Sequence, residues 1–152
     1  MAPISVSAER TVGAPAPEVY GYIADHRDHH ANFLPPAFSD FHVESGGVGA
    51  GTITQFKFTA GGRTRQLRTQ VTEPEPGRVL VESDTMSSSV TTWTVTPEGN
   101  NCRVQISTTW RGAGGIGGFF ERIFAPRALR QIYADELNRL DAYARERHGA
   151  QT

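Results

Sequence analysis

The chain has 152 residues, a formal net charge of −1 at pH 7 and a sequence pI near 6.5. That length is the usual size of one domain with a core large enough to hold its own site. The near-neutral charge excludes long-range attraction to phosphate backbones or anionic lipid surfaces, so no nucleic-acid partner is expected.

Ile4, Val6, Ala8 and Val12 fall on one parity and predict a first strand over 4–12. Ala14-Pro15-Ala16-Pro17-Glu18 breaks it and places proline in a first helical turn, after which Val19, Tyr20 and Ile23 predict a short helix to about Asp25. Asp25 to Pro36 is polar and ends in Phe33-Leu34-Pro35-Pro36, which predicts a second short helix stopped by the paired prolines. Phe41 and Val43 then lead into the turn Gly46-Gly47-Val48-Gly49-Ala50-Gly51. A hairpin comes next, Thr52 to Thr59 and Thr64 to Glu73, with Phe56 and Phe58 on one parity of the first arm and Leu67, Thr69 and Val71 on one parity of the second. Pro74-Glu75-Pro76-Gly77 ends that arm. Further strands are predicted at Val79–Ser83, Val90–Thr96 and Cys102–Trp110, the last two joined by Pro97-Glu98-Gly99-Asn100-Asn101.

Beyond Gly118 the period becomes helical and holds to Arg147, with Phe120, Ile123, Phe124, Leu129, Ile132, Tyr133, Leu137, Leu140 and Tyr143 on one stripe. Pro126 should kink this helix or split off its first turns. Residues 1–148 are expected to form one domain and 149–152 a disordered tail. No apolar run is long enough to span a bilayer, and no leader pattern precedes the first strand, so a cytoplasmic location without stable membrane insertion is expected.

Successive strands with short turns make an antiparallel sheet, which can share a core with one long amphipathic helix only by curling around it. The expected class is α+β, a helix-grip fold: a curved antiparallel sheet wrapped around a long C-terminal helix, with two short helices after strand one. A twisted sheet and a helix diverge at one end and leave a pocket there. Hydroxyls at Thr69, Thr91 and Thr108 share a parity with Leu67, Trp93 and Ile106, which suits a ligand of hydrocarbon with a few oxygens. Such threonines are also ordinary strand residues.

Several segments together resemble a known family. They are Ala14-Pro15-Ala16-Pro17-Glu18-Val19-Tyr20 with Tyr22-Ile23-Ala24-Asp25, then Asn32-Phe33-Leu34-Pro35, Gly46-Gly47-Val48-Gly49, Glu73-Pro74-Glu75-Pro76-Gly77-Arg78 and Trp93-Thr94-Val95-Thr96-Pro97, followed by the long helix. The chain is similar along essentially its whole length to the polyketide cyclase/dehydrase branch of the SRPBCC (START-like, pollen-allergen-like) superfamily. The resemblance implies a helix-grip domain that binds lipophilic ligands, in a superfamily of aromatase/cyclases, quinone-binding proteins and lipid carriers. It identifies the fold better than the activity.

The pocket walls are expected to include Phe33, Phe56, Phe58, Leu67, Thr69, Thr91, Trp93, Ile106, Thr108, Trp110, Phe124, Leu129 and Tyr133, the aromatics offering stacking surfaces for planar rings. Four residues are candidates for proton transfer or charge stabilisation: Arg65, His29, His30 and Tyr22. Arg65 shares the inward parity of Leu67, where it would meet a ligand carbonyl or enolate, or else it reaches solvent from the strand end. His26 and His30 have metal-compatible spacing, but no third ligand accompanies them and His42 and His148 are isolated, so no metal is assigned. Gly112-Ala113-Gly114-Gly115-Ile116-Gly117 fits a dinucleotide fingerprint, yet a terminal helix with no parallel strand after it rejects that reading, and no cofactor is expected. Those glycines read as a pliable lead into the helix that could gate the pocket. Cys102 lies in an alternating apolar run and reads as a buried structural thiol. The expected partner is a small lipophilic ligand, either bound and carried or cyclised as a poly-keto chain; a protein-interaction module or a homodimer is the remaining class.

Overall fold

A computed structural model describes residues 3–60, 62–111 and 126–151. In chain order these form β1 (Pro3–Val12), α1 (Ala16–Ala24), a one-turn 3-10 helix (His30–Phe33), β2 (Phe38–Ser45), β3 (Ile53–Ala60), β4 (Arg63–Glu75), β5 (Val79–Asp84), β6 (Val90–Glu98), β7 (Asn101–Arg111) and α2 (Pro126–Gln151). The strands make one seven-stranded antiparallel sheet in the order β1-β7-β6-β5-β4-β3-β2, so the long hairpins pair in sequence and β1 returns to the β7 edge. The chain has the helix-grip fold that its patterning predicts.

Three local features differ from the sequence reading. The helix predicted over Asp25–Pro36 shrinks to a single 3-10 turn, because Asp25 Oδ1 accepts the backbone N–H groups of Arg27 and Asp28 at 3.1 and 2.9 Å. That local turn competes with helix propagation. β4 runs past Glu73 through Pro74, where a register shift between Thr72 and Glu75 removes the need for a ladder donor. α2 continues to Gln151, three residues into the segment 149–152 for which a tail is predicted. The glycine run 112–117 and the helix start at 118–125, with Phe120, Ile123 and Phe124, lie outside the described residues.

β2 carries a second irregularity with a consequence for the site. Its register shifts between Ser39 and His42, and Asp40 there adopts φ 51°. A bulge of one residue re-aims the rest of the strand, so Phe38 and Phe41, three apart and on opposite parities, both face the concave side.

α2 packs most closely on β1, and a buried carboxylate fastens them. Asp141 accepts the Gly13 N–H at 2.8 Å, Arg10 Nη2 at 2.9 Å and Arg145 Nε at 2.9 Å. The Arg145 guanidinium lies directly over Gly13, so a larger residue at the corner between β1 and α1 would push that side chain off the joint. Around this joint Val6, Val12, Val104, Leu137, Leu140 and Ala144 are buried together. Removing the carboxylate leaves a backbone donor and two guanidinium groups without their partner, whereas the Asp135–Arg139 pair on the same helix is half exposed. Asp141→Ala should therefore lower stability by about 2–4 kcal/mol and Asp135→Ala by no more than about 0.5 kcal/mol. Urea unfolding of the two variants against the parent measures both.

Candidate functional site

Between α2 and the concave face of β2–β7 lies a cavity of about 80 Å³. On that measure one water needs roughly 10–15 Å³, so the room suits several waters or one ring-sized molecule. The register explains its walls. Phe56 opposes Leu67, Trp93 opposes Ile106, Thr91 opposes Thr108 and Thr69 opposes Asp84, each pair on the inner face. Phe38, Phe41, Phe58 and Leu34 extend the apolar surface, and Leu129, Tyr133 and Glu136 close it from α2.

Of the expected wall residues, Phe56, Phe58, Leu67, Thr69, Thr91, Trp93, Ile106, Thr108, Leu129 and Tyr133 surround this cavity. Phe33 and Trp110 do not: both are fully buried in the core beside it, Phe33 against the rings of His30, Trp93 and Tyr143. Phe124 lies outside the described residues.

The proton-transfer candidates separate. His30 is buried and lines the cavity. His29, one residue earlier in the turn, points the other way and bonds the Tyr143 hydroxyl at 2.6 Å. Tyr22 donates to Glu18 Oε2 at 3.1 Å and packs on Tyr143, away from the lining. Arg65 takes neither an exposed position nor a place in the wall. Its side chain is 12 % exposed and pairs with Asp84 Oδ2 at 3.3 Å, and Asp84 stands between it and the cavity's polar rim.

Besides Asp84, two acids in the wall escaped the sequence reading. Glu82, on the inward parity of β5, accepts the Trp93 indole N–H at 2.8 Å on Oε1 and faces His26 Nε2 at 3.2 Å with Oε2. His26 and His30 stack at 4.5 Å, their Nδ1 atoms against the carbonyls of Ala24 and Ile23 at 3.0 and 2.7 Å. One ligand atom from each of His26, His30 and Glu82 lies within 4.8 Å of the others, so the third metal-compatible donor is present, 52 residues after the second (82 minus 30). Burial pushes the Glu82 carboxyl up, but the bond from His26, the charges of His30 and His26 and the bond from Trp93 together hold it low, so it stays ionised. His30 is pushed down to about 4 by burial, with repulsion from His26 adding to this and Glu82 opposing it.

Glu136 is the second acid. It is 2 % exposed, lines the cavity, and its Oε1 has no hydrogen-bond partner among the described residues. Burial first, then repulsion from Glu82 and Asp135, raises its carboxyl well above the ordinary 4.5. A readable signal existed: Glu136 sits three residues after Tyr133 and four before Leu140, inside the apolar stripe. Beside it the hydroxyls of Tyr133, Thr108 and Thr91 form a chain, Thr91 to Thr108 at 2.7 Å. Burial also raises the Cys102 thiol to about 11, with Glu98 and Asp141 adding to it, as suits an inert core thiol. No helix among the described residues is long and apolar enough to cross a membrane.

The profile of the family described as polyketide cyclase / dehydrase and lipid transport matches residues 3–145. Among solved structures, the KanY protein (ms6282) is 34 % identical with a TM-score of 0.84, the match covering 95 % of this chain and 99 % of that one. TTHA0849 from Thermus thermophilus is 19 % identical, with a TM-score of 0.74 and coverage of 93 % and 97 %. The di-domain ARO/CYC StfQ from the steffimycin biosynthetic pathway is 16 % identical with a TM-score of 0.72; the match covers 97 % of this chain and 52 % of StfQ, and at that identity the likeness is one of fold. No curated protein matches the chain.

Glu136 gives a pH dependence with a definite sign. The native state keeps a proton that the unfolded chain releases above about 4.5, so this group's contribution to stability is full below that pH and is lost as pH rises through the raised native value. Glu82, Asp84 and His30 share the cavity with it and Asp135 neighbours it on α2. Glu136→Gln needs no such proton, so its melting temperature relative to the parent should climb between pH 5 and pH 8, the gap opening by at most about 1.4 kcal/mol per pH unit. Thermal unfolding across that range checks it; a gap that is constant with pH contradicts it.

Proposed function

We propose that this chain, which belongs to the polyketide cyclase / dehydrase and lipid transport family, binds one small lipophilic or aromatic molecule carrying oxygen in the cavity between sheet and α2. The observation that supports this is the division of the lining. Phe38, Phe41, Phe56, Phe58, Leu67 and Ile106 give apolar walls, while Glu82, Glu136 and the Thr91–Thr108–Tyr133 hydroxyls place polar groups among them. An occupant of quinone, lipid or polyketide type satisfies both, its ring or chain against the phenylalanines and its oxygens toward the hydroxyls. Among the described residues the exposed large apolar side chains are Val48, Met86 and Val90, fewer than a docking patch needs, which favours a ligand inside over a partner outside.

Native mass spectrometry and solvent extraction of the purified protein, with a thermal-shift panel of lipids, quinones and aromatic polyketides, test this reading. A true ligand at 100 times its Kd should stabilise by about 2.7 kcal/mol, or roughly 5–10 °C. Ser89 lines the cavity just before β6, on the parity of Thr91 and Trp93, and it is the Ser89 backbone N–H that bonds the Ser87 hydroxyl. Ser89→Phe should fill the cavity and abolish the shift. A shift that persists in that variant, or an empty protein that nothing stabilises, turns the reading toward a protein partner.

A catalytic form of the same reading has one specific support: His30, held neutral, and Glu136, held protonated, put a base and an acid on one apolar cavity. Arg65, His29 and Tyr22 lie outside its lining. If a poly-keto substrate is cyclised or dehydrated, His30→Gln and Glu136→Gln should each slow the reaction by about 100-fold or more, while His29→Gln leaves it unchanged. Binding without conversion by the parent protein returns the reading to a carrier.

A further inference from the structure

We propose that His26, His30 and Glu82 form a site for one divalent first-row transition-metal ion, zinc being the ion the donor set suits, at the polar end of the cavity. Hydrogen bonding fixes which atoms are donors. The Ala24 and Ile23 carbonyls can only accept, so the Nδ1 atoms of His26 and His30, 3.0 and 2.7 Å from them, carry the ring hydrogens. Each ring then presents Nε2 as its lone pair. His26 Nε2 stands 3.2 Å from Glu82 Oε2, two acceptors face to face, an arrangement that requires a cation shared between them. A proton on His26 is one solution and a metal ion the other.

The geometry suits the metal ion. Zinc bonds of 2.0–2.1 Å set neighbouring ligand atoms of a tetrahedral site roughly 3.3 Å apart, close to the His26–Glu82 separation. The three ligand atoms lie within 4.8 Å of one another, so the remaining contacts need only a modest closure. The outer partners are already in place. Two backbone carbonyls fix the imidazole tautomers, and Trp93 Nε1 occupies Glu82 Oε1 at 2.8 Å, leaving Oε2 as the ligand oxygen. Two imidazoles with one carboxylate favour zinc and its neighbours over magnesium or calcium, which prefer oxygen ligands.

Independent of the cluster, Glu136 points to an occupant of the same cavity. Its carboxyl lines the same cavity, is buried, and has an Oε1 without a partner among the described residues. Three protein ligands leave a fourth position on the ion, and because His30 and Glu82 are both in the cavity lining, that position faces the cavity. A water or ligand oxygen bound there would enter the cavity that Glu136 also lines. The metal site does not depend on which organic molecule fills the cavity, since zinc alone is the probe.

Chelator-stripped full-length protein is titrated with zinc chloride in a calorimeter and with cobalt(II) in a spectrophotometer. One equivalent of zinc should bind saturably, and cobalt(II) should develop visible bands that zinc displaces. Glu82→Gln and His30→Gln, which keep side-chain volume, should weaken zinc by more than the roughly 10–100-fold that loss of an outer partner costs, and His42→Gln should bind as the parent does. Should a variant fail to fold, imidazole nitrogen resonances of the parent decide: zinc should shift Nε2 of His26 and His30 and leave His29, His42 and His148 unmoved. Absence of a one-equivalent saturable phase overturns the site, as do folded Glu82→Gln and His30→Gln proteins with parental affinity, or resonance shifts confined to the other histidines. None of these outcomes bears on binding of organic ligands to the cavity.

Discussion

One helix has to serve seven strands. Six gaps of about 4.8 Å make the sheet roughly 29 Å across, whereas a helix with its side chains is about 10–12 Å thick. Curling the sheet brings its concave face toward α2 but cannot bring all of it into contact. The chain resolves this asymmetrically, fastening α2 to β1 through Asp141 and letting it diverge from the strands toward β2. The cavity is the space that this choice leaves, and the 3-10 turn contributes His30 to its wall.

That geometry determines where polar groups can stand. Near β1 the interface is aliphatic around the Asp141 joint, with Val6, Val12, Val104 and Leu140 fully buried. Further along, the inner face carries Thr69, Thr91, Thr108, Glu82 and Asp84 among aromatic rings. Buried acids are costly unless partnered, and the cost is met differently at each. Asp84 holds Arg65 and the Ser87 hydroxyl. Glu82 holds Trp93 and His26. Glu136 gives up its charge instead. A core built for stability alone would place leucine at this position of the stripe, so the retained carboxyl is better understood as serving an occupant than as serving the fold.

The fold was legible because its signals are local. Period-two alternation, proline and glycine punctuation and a long helical stripe each act within a few residues, and they locate six of the seven strands and both principal helices, while β2, whose alternation is broken by its bulge, is read only as a lead into the glycine turn. Inward parity came from the same alternation, which is why Phe56, Leu67, Trp93 and Ile106 all reach the cavity. Interactions that local patterns do not encode were less visible. The carboxylate of Asp25 tightens one turn, and with it decides that His30 and not His29 faces inward. The bulge in β2 puts Phe38 and Phe41 on one face against their parity. Arg65 found an internal partner, Asp84, that only the pairing of β4 with β5 brings near.

Glu82 shows the limit most sharply. In Val79-Leu80-Val81-Glu82-Ser83-Asp84 either parity could be the inner one by composition, since valines occupy one and leucine the other. Register settles it: Leu80 opposes Trp93 and Glu82 opposes Thr91, so the acids of this strand share the face of the cavity. The histidines that meet Glu82 come from the turn after α1, held by contacts to Ala24, Ile23 and Gly47 that have nothing to do with β5. Two segments shaped for separate local reasons therefore converge with His26 Nε2 facing Glu82 Oε2. Packing alone gives no reason for that convergence, because an apolar pair at the same positions would fill the space without burying charge. Such an arrangement needs a positive charge between its members, and the chemistry of this cavity begins with the group that supplies it.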